Sequence, residues 1–351
     1  MRIVITAILL LSSLAAVGQE KKLTTPEEDK HLKNVKQLTF GGENAEAYFS
    51  ADNQWLIFQH AGEGVPCDRI YMMRVAGGEP KMQLVFWPVS DGKGKTTCSY
   101  FFPDGDRVLF SSTEGAGAGC PPRPDYSHGY VWPIYSSYDL YTAKRDGSGL
   151  KKLTDSPGYD AEATITRDGK HIVFTSTRDG DLEIYTMDAD GKNVKRLTHE
   201  LGYDGGPFWS ADGNKIVYRA QRAKTKEEAE EYKTLLKQGL IKPGNLEIWV
   251  MNADGSGKHQ VTHNGASNFG PFWHPDGKRI IFSSNLAQPD SMEFDLYLIN
   301  EDGSGLERVT SHPGFDGFPM FSSDGKRLVW ASNRNQSRPH ETNIFIADWV
   351  E

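Results

Sequence analysis

The sequence has no apolar stretch long enough to cross a membrane and no strongly basic region. Its longest apolar run, Ile3 to Leu11, is far shorter than the about 20 residues that a spanning helix needs. Lysine and arginine number 39 against 47 acidic residues, a formal net charge of −8. No block of like charges is long enough to follow a phosphate backbone. We therefore expect neither a membrane span nor a nucleic-acid partner.

The apolar run has the features of an export signal. It follows Arg2 and leads into small residues at Ala15, Ala16 and Gly18, which is the three-part pattern of a secretory signal peptide. The sequence thus predicts a signal peptide over residues 1–18, with an extension over residues 19–33 before the main domain. We expect the mature protein in the periplasm or outside the cell, as a soluble monomer.

Cysteine is scarce, and the three present are Cys67, Cys98 and Cys120. An odd number in an oxidising compartment predicts one disulfide and one buried thiol, with the pairing left open. The spacing matches no zinc motif. No metal or other cofactor is expected, although the oxygen-rich residues described below would favour calcium if any ion were bound.

What the sequence does contain is an internal repeat with six copies. Asp-Gly follows the first segment of the repeat and precedes an apolar triplet such as Ile172-Val-Phe; a third segment such as Ile184-Tyr comes later. Short segments rich in β-branched and aromatic residues, separated by such turns, predict strands in tight hairpins. The Asp-Gly aspartates are Asp104, Asp168, Asp212, Asp276 and Asp324, with Asp52-Asn53 as a degenerate first copy.

A four-strand unit repeated six times predicts an all-β fold, a six-bladed β-propeller over residues 34–351. The segment Asn34 to Thr39 nearly duplicates Asn193 to Thr198, which is the fourth strand of a repeat, yet it precedes the first repeat. The last repeat stops after its third strand. We therefore expect the N-terminal strand to complete the last blade and close the ring, which removes open sheet edges.

The repeats resemble those of TolB-type propellers. The resemblance is carried by Phe208-Trp-Ser-Ala-Asp-Gly213, Phe272-Trp-His-Pro-Asp-Gly277 and Met251-Asn-Ala-Asp-Gly-Ser-Gly257. It implies an exported propeller of a family whose members act as protein-binding platforms, as lids on peptidases, or as sugar-cleaving enzymes. The chain has no Gly-x-Ser-x-Gly nucleophile motif, which argues against a peptidase of the lid-bearing type.

Antiparallel blades place the turns between strands one and two and between strands three and four at one end, here called the turn pole. The other connections emerge at the opposite end, the loop pole, and most of the long ones lie there. Binding and chemistry concentrate on such loops. One insertion, residues 224–239, reads as a helix with Thr225 and Glu228 as a capping box and Gly239 at its end. The predicted long connections are Ala61–Arg69, Trp87–Thr97, Ser112–Tyr138, Gln221–Asn245 and Leu286–Glu293.

Polar residues recur eight positions before each Asp-Gly aspartate, where the innermost strand begins. We expect them to border the central channel at the loop pole as a ligand site, unless each only bonds its own loop. Arginines at the ends of three second strands are their expected partners, since crowded carboxylates need neutralising. The candidate site comprises Asn44, Thr96, Asp160, Asp204, Asn268 and Asp316, the carboxylates Glu46 and Glu162, and Arg178, Arg222 and Arg334.

Two functions follow from this pattern. The first is an exported, non-catalytic propeller that binds a periplasmic protein or a cell-envelope glycan on its loop pole. The second is a hydrolase or lyase that acts on an exported polysaccharide or peptide with an acid and base pair drawn from the channel carboxylates. A carboxylate with a raised pKa beside a pocket would favour the second function. Aspartates held by local bonds would favour the first.

Overall fold

Six four-stranded antiparallel sheets form a ring in the part of the chain described by the computed structural model, residues 22–62, 64–75, 86–126, 129–289 and 291–351. The first strand of each sheet is innermost, and each first strand contacts the first strands of both neighbouring sheets around a closed circle. The protein is therefore a six-bladed β-propeller, and the predicted all-β fold is confirmed. The predicted signal peptide, residues 1–18, lies outside the described residues.

The strands of each blade are numbered here from the axis outwards. In blades 1 to 3 they are Glu43–Phe49, Trp55–Gly62, Val65–Arg74 and Trp87–Pro88; Thr96–Phe101, Arg107–Ser112, Asp139–Lys144 and Lys151–Lys152; and Asp160–Ile165, His171–Ser176, Glu183–Asp188 and Lys195–Arg196. In blades 4 to 6 they are Tyr203–Trp209, Lys215–Gln221, Glu247–Asn252 and His259–Gln260; Asn268–Trp273, Arg279–Ser284, Asp295–Asn300 and Glu307–Arg308; and Asp316–Phe321, Arg327–Ser332, Asn343–Trp349 and Leu32–Gln37.

The N-terminal strand closes the ring. Leu32–Gln37 pairs antiparallel with the third strand of blade 6, with Leu32 opposite Trp349 and Gln37 opposite Phe345. This gives blade 6 its fourth strand. The two ends of the propeller sequence are thereby held in one sheet, as the near-duplicate segment predicted.

The extension before this strand is also fixed to the propeller. A 3₁₀ turn at Glu28–Lys30 buries the Glu28 side chain, which is 1% exposed. Its carboxylate accepts hydrogen bonds from the Ser311 and His312 amides, at 2.9 and 3.2 Å, and lies 3.0 Å from Nη2 of Arg334. Residues 22–31 thus tie blade 5 to blade 6 at the loop pole.

The Asp-Gly landmarks form the predicted tight turns at the turn pole. In every copy the aspartate Oδ1 accepts a hydrogen bond from the amide two residues later, as in Asp168 to Lys170 at 3.1 Å and Asp212 to Asn214 at 3.1 Å. The residue after the aspartate is left-handed, with φ of 73° at Gly169 and 58° at Asn53. Glycine and asparagine tolerate this conformation better than other residues, which explains the recurrence of the pair.

The apolar triplets of the second strands form the core between blades. Leu56, Ile172, Ile216 and Ile280 have no exposed surface. A central strand has sheet neighbours on either side and stacked blades on both faces, so its residues are apolar without alternation. The hydrophobic effect over these contacts holds the ring together.

One of the predicted long loops is a short hairpin, and two other loop-pole connections contain secondary structure of their own. Ala61–Arg69 is a hairpin rather than a long connection, because Gly62 still pairs with Val65. Within the insertion at 224–239, a helix, α1, spans Lys226–Lys237 with Thr225 as N-cap. The connection after blade 2's second strand contains a 3₁₀ turn at Glu114–Ala116 and the two-residue strand Trp132–Pro133, which pairs with Leu240–Ile241 after α1.

Candidate functional site

A β-bulge in each innermost strand turns one residue per blade towards the axis. The pairing register with the second strand shifts across each bulge, for example between Ala161 and Thr164. The residue inside each bulge is left-handed, with φ of 50–59°. These six residues line a small axial cavity of about 40 Å³: Glu46, Cys98, Glu162, Gly206, Gly270 and Phe318.

The six strand-start residues do not border this cavity, which corrects their predicted position. Asn44, Thr96, Asp160, Asp204, Asn268 and Asp316 are each at most 1% exposed. They precede the left-handed residue of the bulge by two positions, and all their side-chain polar atoms except Oδ2 of Asp204 are hydrogen-bonded inside the blades. Because of the bulge, the channel is lined instead by the residues two positions further along each strand, Glu46 and Glu162 among them. A ligand role for the six residues stays a prediction, but they lie behind the channel wall.

The predicted arginine partners of the aspartates are present. Nη2 of Arg178 lies 2.9 Å from Oδ1 of Asp160, and Arg222 and Arg334 make equivalent contacts to Asp204 and Asp316 at 2.6 and 2.5 Å. Each pair lies within one blade. The amides of Asn44 and Asn268 bond loop carbonyls instead, such as Gly41 and Leu246 at 3.0 and 2.7 Å. These contacts hold the loop-pole ends of the strands.

Glu46 is the channel carboxylate without a basic partner in contact among the described residues. Its side chain lines the axial cavity but lies deep within the ring. The loss of water around the carboxyl raises its pKa to about 7. Cys98 lies beside it and bonds it through the thiol. Burial also raises the pKa of the Cys98 thiol well above its ordinary value, which favours its neutral form.

The three cysteines form one disulfide and leave one free thiol, as their odd number predicted. Cys67 and Cys120 form the disulfide, across 53 residues, and Cys98 is free. The disulfide joins blade 1 to the long loop-pole segment that follows the second strand of blade 2. Cys98 is only half-buried, rather than buried as predicted, because the bulge turns it towards the axial cavity.

Glu162 is held by a dense set of hydrogen bonds. Its carboxylate accepts from Oγ1 of Thr175 at 2.8 Å and from the Gly206 amide at 2.9 Å. It also pairs with Arg219, whose guanidinium donates to the Tyr203 hydroxyl at 2.6 and 2.9 Å. The Glu162 oxygens are thereby saturated by protein donors.

Arg219 is the site residue that the sequence analysis missed. It lies opposite Gly205 on the second strand of blade 4, where the equivalent residues are Thr175 in blade 3 and Ser283 in blade 5. The arginine at a position where neighbouring blades have threonine or serine was the feature of the sequence from which this site residue could have been predicted. Trp132 packs on the guanidinium, with its ring centroid 5.2 Å away, so the loop-pole segment is in contact with this side chain.

An aromatic layer crosses the axis below the cavity. Tyr48 packs on Tyr100 and Phe208 with ring centroids 5.7 and 5.5 Å apart, and Phe208 packs on Phe272 at 5.5 Å. Tyr48 and Phe208 line the axial cavity. The layer therefore forms the floor of the channel as entered from the loop pole.

A larger cleft of about 930 Å³, the loop-pole cleft, opens between α1 and the residues Pro122–Pro124, here called the proline-rich segment. Its walls are joined where the Ile134 amide donates to the Gly239 carbonyl at 2.7 Å. The helix is anchored by the Tyr232 hydroxyl, which donates to Asp181 at 2.5 Å. The lining includes Pro122, Arg123, Pro124, Asp125, Ile134, Tyr135, Asp181, Leu201, Tyr232, Lys233, Leu236 and Lys237.

The most exposed large apolar side chains of the described residues lie at this pole. Leu201 in the cleft is 42% exposed, and Tyr126 and Tyr130 beside it are half exposed. Phe40 and Met292, in two other loop-pole connections, are 73% and 65% exposed. Large side chains exposed this far are typical of a surface that another molecule covers.

Among the residues with described positions, no group of three or more His, Cys, Asp or Glu side chains is placed to hold a metal ion. Likewise, no helix in the described ranges combines the length and apolar character required to traverse a bilayer.

The fold and the lined axis define a six-bladed propeller with an elaborated loop pole. A family model described as TolB beta propeller domain matches residues 134–241. Putative TolB from Agrobacterium tumefaciens is 20% identical with a TM-score of 0.58, over 88% of this chain and 91% of that one. The chain thus has a propeller fold similar to that of TolB structures, and its residues 134–241 match the TolB beta propeller model, in agreement with the resemblance that its repeats carry.

Other similar proteins differ in function. TolB from Acinetobacter baumannii is 19% identical (TM-score 0.54), over 78% of this chain and 55% of that one, and an oligogalacturonate lyase from Vibrio parahaemolyticus is 13% identical (0.52), over 90% and 93%. Dipeptidyl-peptidase 5 from Porphyromonas gingivalis is 46% identical over 39 residues, 11% of this chain. That match spans only 6% of the peptidase. The proteins that share this fold or a short segment with the chain thus include TolB, a lyase and a peptidase.

Proposed function

We propose that this protein is an exported, non-catalytic propeller that binds a periplasmic protein or a cell-envelope glycan in the loop-pole cleft. The observation that carries the proposal is the cleft itself, about 930 Å³ between α1 and the proline-rich segment. This volume lies in the upper part of the range typical of ligand sites. Its position at the pole with the long connections is where rigid scaffolds place their binding residues.

The cleft is built to hold its shape before a ligand arrives. The Tyr135 hydroxyl donates to the Pro122 carbonyl at 2.7 Å, prolines restrict the backbone of one wall, and a strand pair joins both walls. Little conformational entropy is then lost on binding, which favours affinity. Tyr135 and Tyr232 offer aromatic surface, and Lys233 and Lys237 offer positive charge, a combination that suits a sugar chain or an acidic peptide segment.

The state of the channel carboxylates favours binding over catalysis. General acid and base chemistry on a glycoside requires two carboxyl groups that reach the substrate. Asp160, Asp204 and Asp316 are at most 1% exposed and paired with arginines. Glu162 is saturated by Thr175, Gly206 and Arg219. Glu46 is left without a second available carboxylate.

The raised pKa of Glu46 favours the alternative function, that of a hydrolase or lyase acting on an exported polysaccharide or peptide. A pKa of about 7 suits a general acid near neutral pH. In this alternative Glu46 would protonate the leaving group, and a base would have to come from Glu162 after release from Arg219. The need for that release makes it the second choice.

The disulfide supports an exported location. Disulfides persist in the periplasm and outside the cell and are rare in the cytosol. The bond between Cys67 and Cys120 fastens the segment that forms one wall of the cleft. Formation of the binding surface is therefore linked to an oxidising compartment.

The test is a pair of leucine variants with the same exposure at opposite poles. Leu201 in the cleft and Leu306 in a turn-pole turn are 42% and 43% exposed, so Leu201→Glu and Leu306→Glu perturb folding similarly. Binding of the full mature chain to purified peptidoglycan fragments, envelope oligosaccharides and periplasmic proteins is measured by calorimetry. We expect one ligand that binds the native chain and Leu306→Glu equally and binds Leu201→Glu at least ten-fold more weakly.

Two results would overturn the proposal. One is a ligand bound equally by both variants, because the cleft would then not be the site. The other is conversion of the ligand during incubation, detected by mass spectrometry and abolished in Glu46→Gln, which would establish the catalytic alternative.

A further inference from the structure

A second cavity of about 410 Å³ lies at the turn pole, on the opposite side of the ring from the loop-pole cleft. Here it is called the turn-pole chamber. Every blade contributes to its wall, through residues at the end of the innermost strand and in the turn that follows. One lining residue per blade is Ser50, Tyr100, Arg167, Trp209, Phe272 and Met320.

The aromatic layer separates the chamber from the axial cavity. Tyr100 and Phe272 line the turn-pole chamber, whereas Tyr48 and Phe208 line the axial cavity, and the four rings pack at 5.5–6.2 Å. The two cavities thus have a common wall of rings that pack edge to face or at a tilt. The turn-pole chamber is a separate compartment rather than the far end of the proposed binding surface.

The wall has the composition of a small-molecule site. Trp209, Phe272 and Tyr100 present partly exposed aromatic surface, with the turn residues Pro103 and Pro275 on the rim. Ligand sites of this size are mostly apolar with a few polar groups that orient the ligand. Flat rings stack on such walls because ring quadrupoles favour offset and edge contacts.

Arg167 is the charged residue of the lining. It is exposed and, among the described residues, it forms no ion pair, whereas the turn arginines Arg107 and Arg279 are paired with Asp104 and Asp276 at 2.6 Å. An arginine left unpaired at the mouth of an aromatic chamber offers its donors to an anion.

We propose that the turn-pole chamber binds a small planar aromatic molecule that carries one negative charge. The ring packs against Trp209 and Phe272, and the anionic group pairs with Arg167 at the mouth. This site is independent of the loop-pole ligand. Its occupant is recognised by shape and by a single charge, so the chemical class is an aromatic carboxylate or sulfonate.

The experiment compares two probes that differ only in charge. The first is 8-anilinonaphthalene-1-sulfonate, and the second is its uncharged analogue N-phenyl-1-naphthylamine. Each is titrated into the full folded chain, with probe emission and tryptophan quenching as readouts. We expect one saturable site per chain for both probes, with the sulfonate bound more tightly.

Variants at one turn test the role of the charge. Arg167→Gln should weaken sulfonate binding about five-fold, the order expected for one partly exposed ionic contact, and leave the uncharged probe unaffected. Lys170→Gln, three residues further along the same turn and outside the lining, should change neither probe. Ala211→Glu, which adds bulk and negative charge to the wall, should weaken the sulfonate at least ten-fold.

Three results would refute the site. These are several equivalent sites per chain, equal losses in Arg167→Gln and Lys170→Gln, or loss of the probe in Leu201→Glu. The first would indicate general surface adsorption, the second a bulk charge effect, and the third binding in the loop-pole cleft. Circular dichroism of each variant verifies that the propeller remains folded.

Discussion

Replacing Glu46 with glutamine should make the protein more stable at alkaline pH. Glu46 lies in the axial cavity without a cationic partner in contact among the described residues, and burial raises its pKa from 4.5 to about 7. The folded chain therefore binds this proton more tightly than the unfolded chain does. Glutamine keeps the shape and the neutral state at every pH.

The sign and size of this stability difference follow from the shift in the pKa of Glu46. Stability linked to this proton is fully present below pH 4.5, is lost as the pH rises towards 7, and changes no further above about 7. A shift of this size corresponds to roughly 3 kcal/mol at about 1.4 kcal/mol per pKa unit. We expect Glu46→Gln to match the native chain at pH 4.5 and to exceed its free energy of unfolding by up to roughly 3 kcal/mol at pH 8.

Urea unfolding followed by tryptophan fluorescence at pH 4.5, 6 and 8 measures this difference. The matched control is Glu162→Gln in the same cavity, which removes the ion pair of the buried Arg219. Breaking a buried pair costs about 3–5 kcal/mol, so this variant should be less stable at pH 8. A stability difference for Glu46→Gln that is the same at all three pH values would refute the reasoning.

Three further predictions concern the ring. Glu28→Ala should lower the free energy of unfolding by about 3 kcal/mol in urea, because Arg334 loses one of its buried partners; no change would mean that the extension does not clamp the blades. Cys67→Ser should cost about 4 kcal/mol, because the disulfide closes a 53-residue loop; the loss is seen as a lower thermal midpoint, and an unchanged midpoint would count against it. Gly206→Ala should destabilise more than Gly270→Ala, since a Cβ at Gly206 would lie 2.8 Å from the Arg219 guanidinium whereas that at Gly270 is 3.4 Å from its nearest neighbour; equal unfolding energies would contradict this.

The fold was predictable because the residues that recur in each repeat determine local structure directly. Asp-Gly specifies a turn through an aspartate–amide bond and a left-handed glycine, and the apolar triplets specify strands that are buried on both faces. Six such copies leave few alternatives to a propeller. Ring closure followed from one near-duplicate segment, since the fourth strand of a blade can pair only with a third strand.

The candidate site was less predictable because it depends on a bulge. The sequence analysis placed Asp160 at the channel because it begins the innermost strand, but the left-handed residue at Glu162 changes which side chain faces the axis. Nothing in the Asp-Gly spacing marks that change. Arg219 was detectable only as a departure from the repeat.

The loop-pole cleft depends on contacts between segments far apart in sequence. Its walls meet where Trp132–Pro133 pairs with Leu240–Ile241, and neither dipeptide resembles a strand in isolation. The helix was predictable from its capping residues, but its anchor through Tyr232 and Asp181 joins different blades. Composition alone could only indicate that these segments were unusual.

The central claim, that ligand binding occurs in the loop-pole cleft, is tested most directly by amide hydrogen exchange with and without the ligand identified by calorimetry. The account predicts slower exchange in residues 129–136 and 226–241, with the turn-pole segments 103–107 and 210–215 unchanged. Protection confined to the turn pole, or spread evenly over all blades, would contradict it.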